Sequence, residues 1–115
     1  RSMTVVRGAS EVRLSSGDDA AAIKQVRRYM GRLRGCYEFY VAHTNEAWRG
    51  TLVTLVTIEA GRVIQSKVVH GDIPDEALVG CIESRTSRWR FLEATTGELK
   101  QAFEMNWQPT VAPEP

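Results

Sequence analysis

From Asp18 onward the chain carries apolar residues at helical spacing: Ile23, Val26, Met30, Leu33, Tyr37 and Val41 recur three or four positions apart and so share one side of an α-helix. Tyr29, Cys36 and Tyr40 widen that stripe on one flank, while Lys24, Arg28 and Arg32 take the opposite face. Asp18 and Asp19 supply an N-cap and a favourable charge beside the free N–H groups of the first turn. Gly31 and Gly35 each cost ~1 kcal/mol relative to alanine inside a helix, so either another group approaches the backbone there or the helix tolerates the cost.

After HTNEAWRG breaks the helix, the period changes. TLVTLVTIE is a β-branched run without a breaker, and Ala60-Gly61 separates it from RVIQSKVVH, which predicts a hairpin whose turn uses glycine at a positive φ. GDIPDE then offers Asp72 as a cap, Pro74 in the first turn and acids at Asp75 and Glu76. Leu78, Cys81, Ile82 and Trp89 project to one side of a second helix, with Arg85 in the same arc and Arg88 and Arg90 at its C-terminal end. ATTGE forms a turn. LKQAFEMNW alternates, with Leu99, Phe103, Met105 and Trp107 on one face and Lys100, Glu104 and Asn106 on the other, which predicts a third strand. Residues 1–17, with Val5, Val6, Val12 and Leu14 interrupted by Gly8 and Gly17, read as a lead-in that can hold an edge strand, and residues 108–115 as a proline-rich tail. The domain proper therefore spans residues 18–107. The expected fold is α+β, with two helices on one face of a small, mainly antiparallel sheet whose other face is wet.

Composition narrows the choice without deciding it. A chain of 115 residues, 43% hydrophobic and 25% charged, suits one domain with one core. Its formal charge of +1 argues for no global attraction to nucleic acid or an anionic membrane. No stretch has the length of a transmembrane helix, and the N-terminus lacks a signal peptide's apolar core.

Cys36 and Cys81 stand on the two predicted helices, whose apolar stripes face one sheet. Two cysteines so far apart, with only His43 and His70 to add, make a poor metal site. The arrangement invites a disulfide, with two buried thiols as the alternative. A bridge would close a loop of about 45 residues, stabilise the fold by ~4 kcal/mol through loop entropy, and place the domain in an oxidising compartment. Without an export signal, such a domain is expected to be a piece of a longer envelope protein whose signal or anchor lies upstream.

Several elements together resemble a known family. VRRYMGRLRGCYE with Cys36, the hairpin GTLVTLVTIEAGRV with Gly61 and Val63, the second cysteine in ALVGCIES, and WRF at Trp89 to Phe91 resemble, in that order, the C-terminal domain of the AgmX/PglI group of gliding-motility and envelope proteins, related to the C-terminal domain of TonB. The likeness covers about Gln25 to Asn106. It departs at Leu92, where the family continues with proline, and at Arg85-Thr86, so the approach to the last strand is expected to differ.

The resemblance implies a periplasmic domain of an inner-membrane-anchored, envelope-spanning protein that contacts outer-membrane or periplasmic proteins, in motility or TonB-like energy transduction and transport. It also points to recognition through the last strand. There an extended partner segment would pair along Leu99, Lys100, Gln101, Ala102, Phe103, Glu104, Met105 and Asn106, if that strand is an open sheet edge. The competing reading is that charges protect this edge or that the N-terminal segment covers it. Membrane attachment would come only through the upstream anchor, and homodimerisation is left open.

Other chemistry finds little footing. No Walker loop, nucleophile elbow, HExxH or dinucleotide fingerprint occurs, and the reading is of a domain without catalysis or cofactor. Glu38 beside Cys36 and Tyr37 would need a histidine to make a cysteine nucleophile, and neither His43 nor His70 is well placed. Lys24, Arg27, Arg28, Arg32 and Arg34 form a basic helix side, the basis for the alternative of a small nucleic-acid-binding module. No exposed aromatic sheet accompanies it, and a solvated helix face explains it as well. The remaining alternative is an unrecognised envelope enzyme.

Overall fold

A computed structural model describes residues 2–41, 48–71 and 76–108. Within them run β1 (Ser2–Ser16), α1 (Asp19–Val41), β2 (Trp48–Glu59), β3 (Arg62–Gly71), α2 (Glu76–Thr86) and β4 (Thr96–Gln108). The four strands form one antiparallel sheet in the order β1-β4-β2-β3, and both helices pack on one of its faces, an α+β fold.

Helix α1 begins where the sequence places it. The Asp18 carboxylate accepts a hydrogen bond from the Ala20 N–H at 3.2 Å, which satisfies a donor that a helix start leaves open, and its carbonyl accepts the Ala22 N–H at 3.0 Å as the first bond of the helix. Ala22, Val26, Leu33, Cys36 and Tyr37 are buried, and Met30 packs against them half-buried. Gly31 and Gly35 lie on the solvent side. A Cβ at Gly31 would meet nothing within 4 Å and one at Gly35 only an Arg85 guanidinium nitrogen at 3.9 Å, so no backbone approaches closely.

The hairpin turn has φ of 48° at Ala60 and 81° at Gly61, the left-handed pair that matches the twist of two antiparallel strands. Glycine is required at position 61 for a second reason. A Cβ there would sit 2.7 Å from the Phe91 carbonyl oxygen and 2.8 Å from that of Leu92. The turn is clasped by this passing segment: the Gly61 N–H donates to the Thr95 carbonyl at 2.8 Å and the Phe91 N–H to the Gly61 carbonyl at 2.9 Å.

Helix α2 is shorter than its pattern predicts and ends at Thr86, before Trp89. The Thr86 hydroxyl turns back onto the carbonyls of Ile82 and Glu83, and the Ser87 hydroxyl onto that of Ser84, satisfying carbonyls at the helix end. Trp89 and Arg90 therefore belong to the crossing that follows, where Arg90 bridges to Arg62 of β3. Trp89 is still a core residue, 1% exposed, and stacks on Tyr29 with ring centroids 5.8 Å apart. The proposed cap Asp72, Pro74 and the proline-rich tail from 109 onward lie outside the described residues.

The core is built on one face of the two central strands. Leu52, Thr54, Val56 and Ile58 of β2 and Leu99, Gln101, Phe103 and Met105 of β4 are buried, and the register sets Leu52 beside Phe103, Thr54 beside Gln101 and Val56 beside Leu99. On the other face Thr51, Val53, Leu55 and Thr57 lie beside Glu104, Ala102, Lys100 and Glu98, where side chains are exposed or half-buried.

Candidate functional site

The two cysteines are bonded. Cys36 on α1 and Cys81 on α2 have Cα atoms 5.7 Å apart, with Cys36 fully buried and Cys81 half-buried against the core. The bridge ties the helices over the sheet, and it is compatible with an oxidising compartment. It also removes the thiol from any nucleophilic scheme. Glu38 pairs with Arg34 at 2.9 Å on the helix surface instead. His43 lies outside the described residues, as does the side chain of His70.

The strand expected to present an open edge does not. β4 is bonded along one side to β2 and along the other to β1, which runs antiparallel to it from Ser2 beside Gln108 to Ser16 beside Thr96. The lead-in takes the place reserved for a partner. This is the covered-edge alternative, and it corrects the assignment of Leu99 to Asn106 as an open edge. The faces of β4 follow the alternation: Leu99, Gln101, Phe103 and Met105 point into the core, and Lys100, Ala102, Glu104 and Asn106 point to the open face.

Gln101 explains part of why β1 stays in place. β1 carries an extra residue between Arg7 and Ser10, a bulge that leaves local carbonyls without ladder partners. The buried Gln101 amide fills this gap, donating to the Gly8 carbonyl at 3.1 Å and the Ala9 carbonyl at 3.4 Å while its oxygen accepts from the Ser10 hydroxyl. Next to it on β2, the buried Thr54 hydroxyl finds no hydrogen-bond partner among the described residues. At the far end of the pair a Cβ at Gly97 would lie 2.4 Å from the Arg13 carbonyl oxygen, so the close approach of β1 and β4 depends on glycine there.

The sheet's actual rims are β3 and β1. β3 is bulged at Ile64 and at Val69, the two exposed large apolar residues of that strand. Between the bulges α2 leans on it: the Glu83 carboxylate accepts the Val68 N–H at 2.9 Å, and the hydroxyls of Ser66 and Thr86 meet. β1 pairs on one side only among the described residues. It is regular from Ser2 to Arg7 and again from Ser10 to Leu14, the latter between the bulge near Gly8 and a second register shift before Ser16. In that stretch Val12 and Leu14 are half-buried toward the helices, and Glu11 and Arg13 are exposed beside Lys100 and Glu98 of β4. A shallow hollow on the open face gathers Glu11, Arg13, Leu55, Glu98 and Lys100.

Sequence reasoning did not single out Glu11 and Arg13. The signal was present in the strict polar–apolar alternation of Glu11-Val12-Arg13-Leu14, a strand's period of two, but four residues between glycines carry little weight alone.

The basic side of α1 is exposed as expected, though not all of its charge is free to act. Arg34 is paired with Glu38, and the Arg32 guanidinium lies 5.0 Å from the centre of the Tyr29 ring. Among the described residues no helix is long and apolar enough to cross a membrane, and no three His, Cys, Asp or Glu side chains gather as a metal site. No protein-family model, curated protein or solved structure matches the chain.

Proposed function

We propose that the chain is a periplasmic protein-interaction domain of an envelope-spanning, inner-membrane-anchored protein, and that it binds an extended segment of an outer-membrane or periplasmic protein at a sheet rim. The observation that carries this reading is the rim itself: among the described residues β1, a 15-residue strand, pairs along one side only, whereas α2 closes on the opposite rim through the Glu83 carboxylate. An unpaired strand edge offers N–H and C=O groups that an extended peptide completes, while side chains beside it set the choice of partner. The rim proposed is thus β1, around Glu11 and Arg13, in place of β4.

The Cys36–Cys81 bridge supports the compartment, and the resemblance to TonB-like and gliding-motility domains supports the envelope role. A photo-crosslinking residue at Glu11 of the full-length protein in living cells tests the reading, with one at the exposed Ser84 of α2 as reference. Adducts with an envelope protein at position 11 but not at 84 are expected. Equal labelling at both positions, or adducts only with cytosolic proteins, would rule it out.

A further inference from the structure

We infer that two copies of this chain associate through their β1 rims, antiparallel about a two-fold axis at Val12, joining their sheets into one. β1 pairs with β4 in two regular stretches, Ser2 to Arg7 and Ser10 to Leu14; the second, which carries Glu11 and Arg13 on the open face, is centred on Val12. Antiparallel pairing about that centre sets Val12 beside its own copy and Ser10 beside Leu14. It also sets Glu11 of each chain beside Arg13 of the other. Both charged residues are exposed on the open face, and each already has an opposite charge across from it on β4: Lys100 beside Glu11 and Glu98 beside Arg13.

The joined sheets then carry two rows that alternate in sign across four strands. One reads Lys100, Glu11, then Arg13 and Glu98 of the second copy; the other is its two-fold mate. Opposite charges directly across an antiparallel pair are favourable and like charges are not. Moving the axis by one residue places Glu11 against Glu11 or Arg13 against Arg13, and a parallel in-register pair does both. The charge pattern therefore favours a second copy in this register over either neighbouring one and over a parallel pair. On the helix side the half-buried Val12 and its mate cover each other's remaining apolar surface at the axis.

This adds self-association to the rim assigned above to a partner strand, so a second copy and a partner segment compete for it. It is tested on the purified chain alone, and its failure leaves the partner reading standing. Sedimentation of the parent at low salt is expected to show a monomer–dimer equilibrium that weakens as salt screens the rows. Glu11→Arg and Arg13→Glu should each dissociate roughly tenfold more readily, because each reverses two cross-strand pairs, and an equimolar mixture of the two should recover the parent's affinity. Val12→Cys, which leaves the charges untouched, should form an intermolecular disulfide on air oxidation, since facing residues of such a pair have Cα atoms within bridging distance. Ser15→Cys, far from its own copy in this register, should not. A parent that stays monomeric throughout its soluble range, or crosslinking at Ser15 that equals crosslinking at Val12, would overturn the inference.

Discussion

Along β3 the unpaired edge is broken by bulges at Ile64 and Val69, and the Glu83 carboxylate takes the Val68 N–H; along β1 the bulge near Gly8 is filled from the inside by Gln101, and no described element pairs with the outer side. Both rims meet the same hazard, since an open strand edge templates pairing with other chains. One is closed by a helix leaning over it. The other is bulged as well, but its bulge is filled from within and Glu11 and Arg13 stand exposed on the open face beside it, so a helix closes the β3 edge while no described element pairs with that of β1.

The largest expected effect comes from removing what holds α2 against the rest. Trp89 follows α2 directly, is buried, and stacks on Tyr29 of α1. Trp89→Ala should cost ~3 to 5 kcal/mol through the cavity it leaves, measured by denaturant unfolding. An unchanged midpoint would show that the tryptophan anchors nothing.

Next is the Cys36–Cys81 bridge, whose loss should cost about 4 kcal/mol by loop entropy for its separation of 45. Mass spectrometry of non-reduced, alkylated protein should find no free thiol. Two labelled cysteines in the native protein would refute the pairing.

Gln101→Ala sharpens the comparison at the β1 rim, because it strands the Gly8 and Ala9 carbonyls in a part-buried bulge. A loss of about 1 to 3 kcal/mol is expected. Amide exchange should accelerate in β1 and not in β3; a uniform acceleration would mean that the side chain serves the core as a whole.

The smallest effect belongs to the β3 rim. Glu83→Ala removes the acceptor for one part-buried N–H and should cost about 1 kcal/mol. Exchange of the Val68 amide is the direct readout, and an unaltered rate there would mean that α2 does not guard the edge through this bond.

Much of this architecture was legible in the residues. The stripe from Val26 to Tyr37, the glycine of the Ala60-Gly61 turn and the alternation of Leu99, Phe103 and Met105 each follow from a period within one element, and each stands as read. The bonding of Cys36 to Cys81 was legible at one remove, once both helices were assigned to one face of a sheet. The end of α2 was not. Trp89 kept the helical spacing although the Thr86 and Ser87 hydroxyls had already capped the last carbonyls, and spacing alone cannot distinguish a core residue on a helix from one just beyond it.

The sequence by itself determined which residues are apolar together, where the helix and hairpin begin, and which face of β4 is buried, because these depend on side chains a few positions apart. Only the tertiary structure decided which strand lies at the rim. β1 and β4 meet across some ninety positions of chain, brought together by a bulge that Gln101 fills and by a glycine at 97 that lets the backbones close. Such contacts reward the chain only after a long loop has been closed, and no local period records them. The open edge consequently lies on β1, at Glu11 and Arg13, while the strand whose alternation was clearest sits inside the sheet.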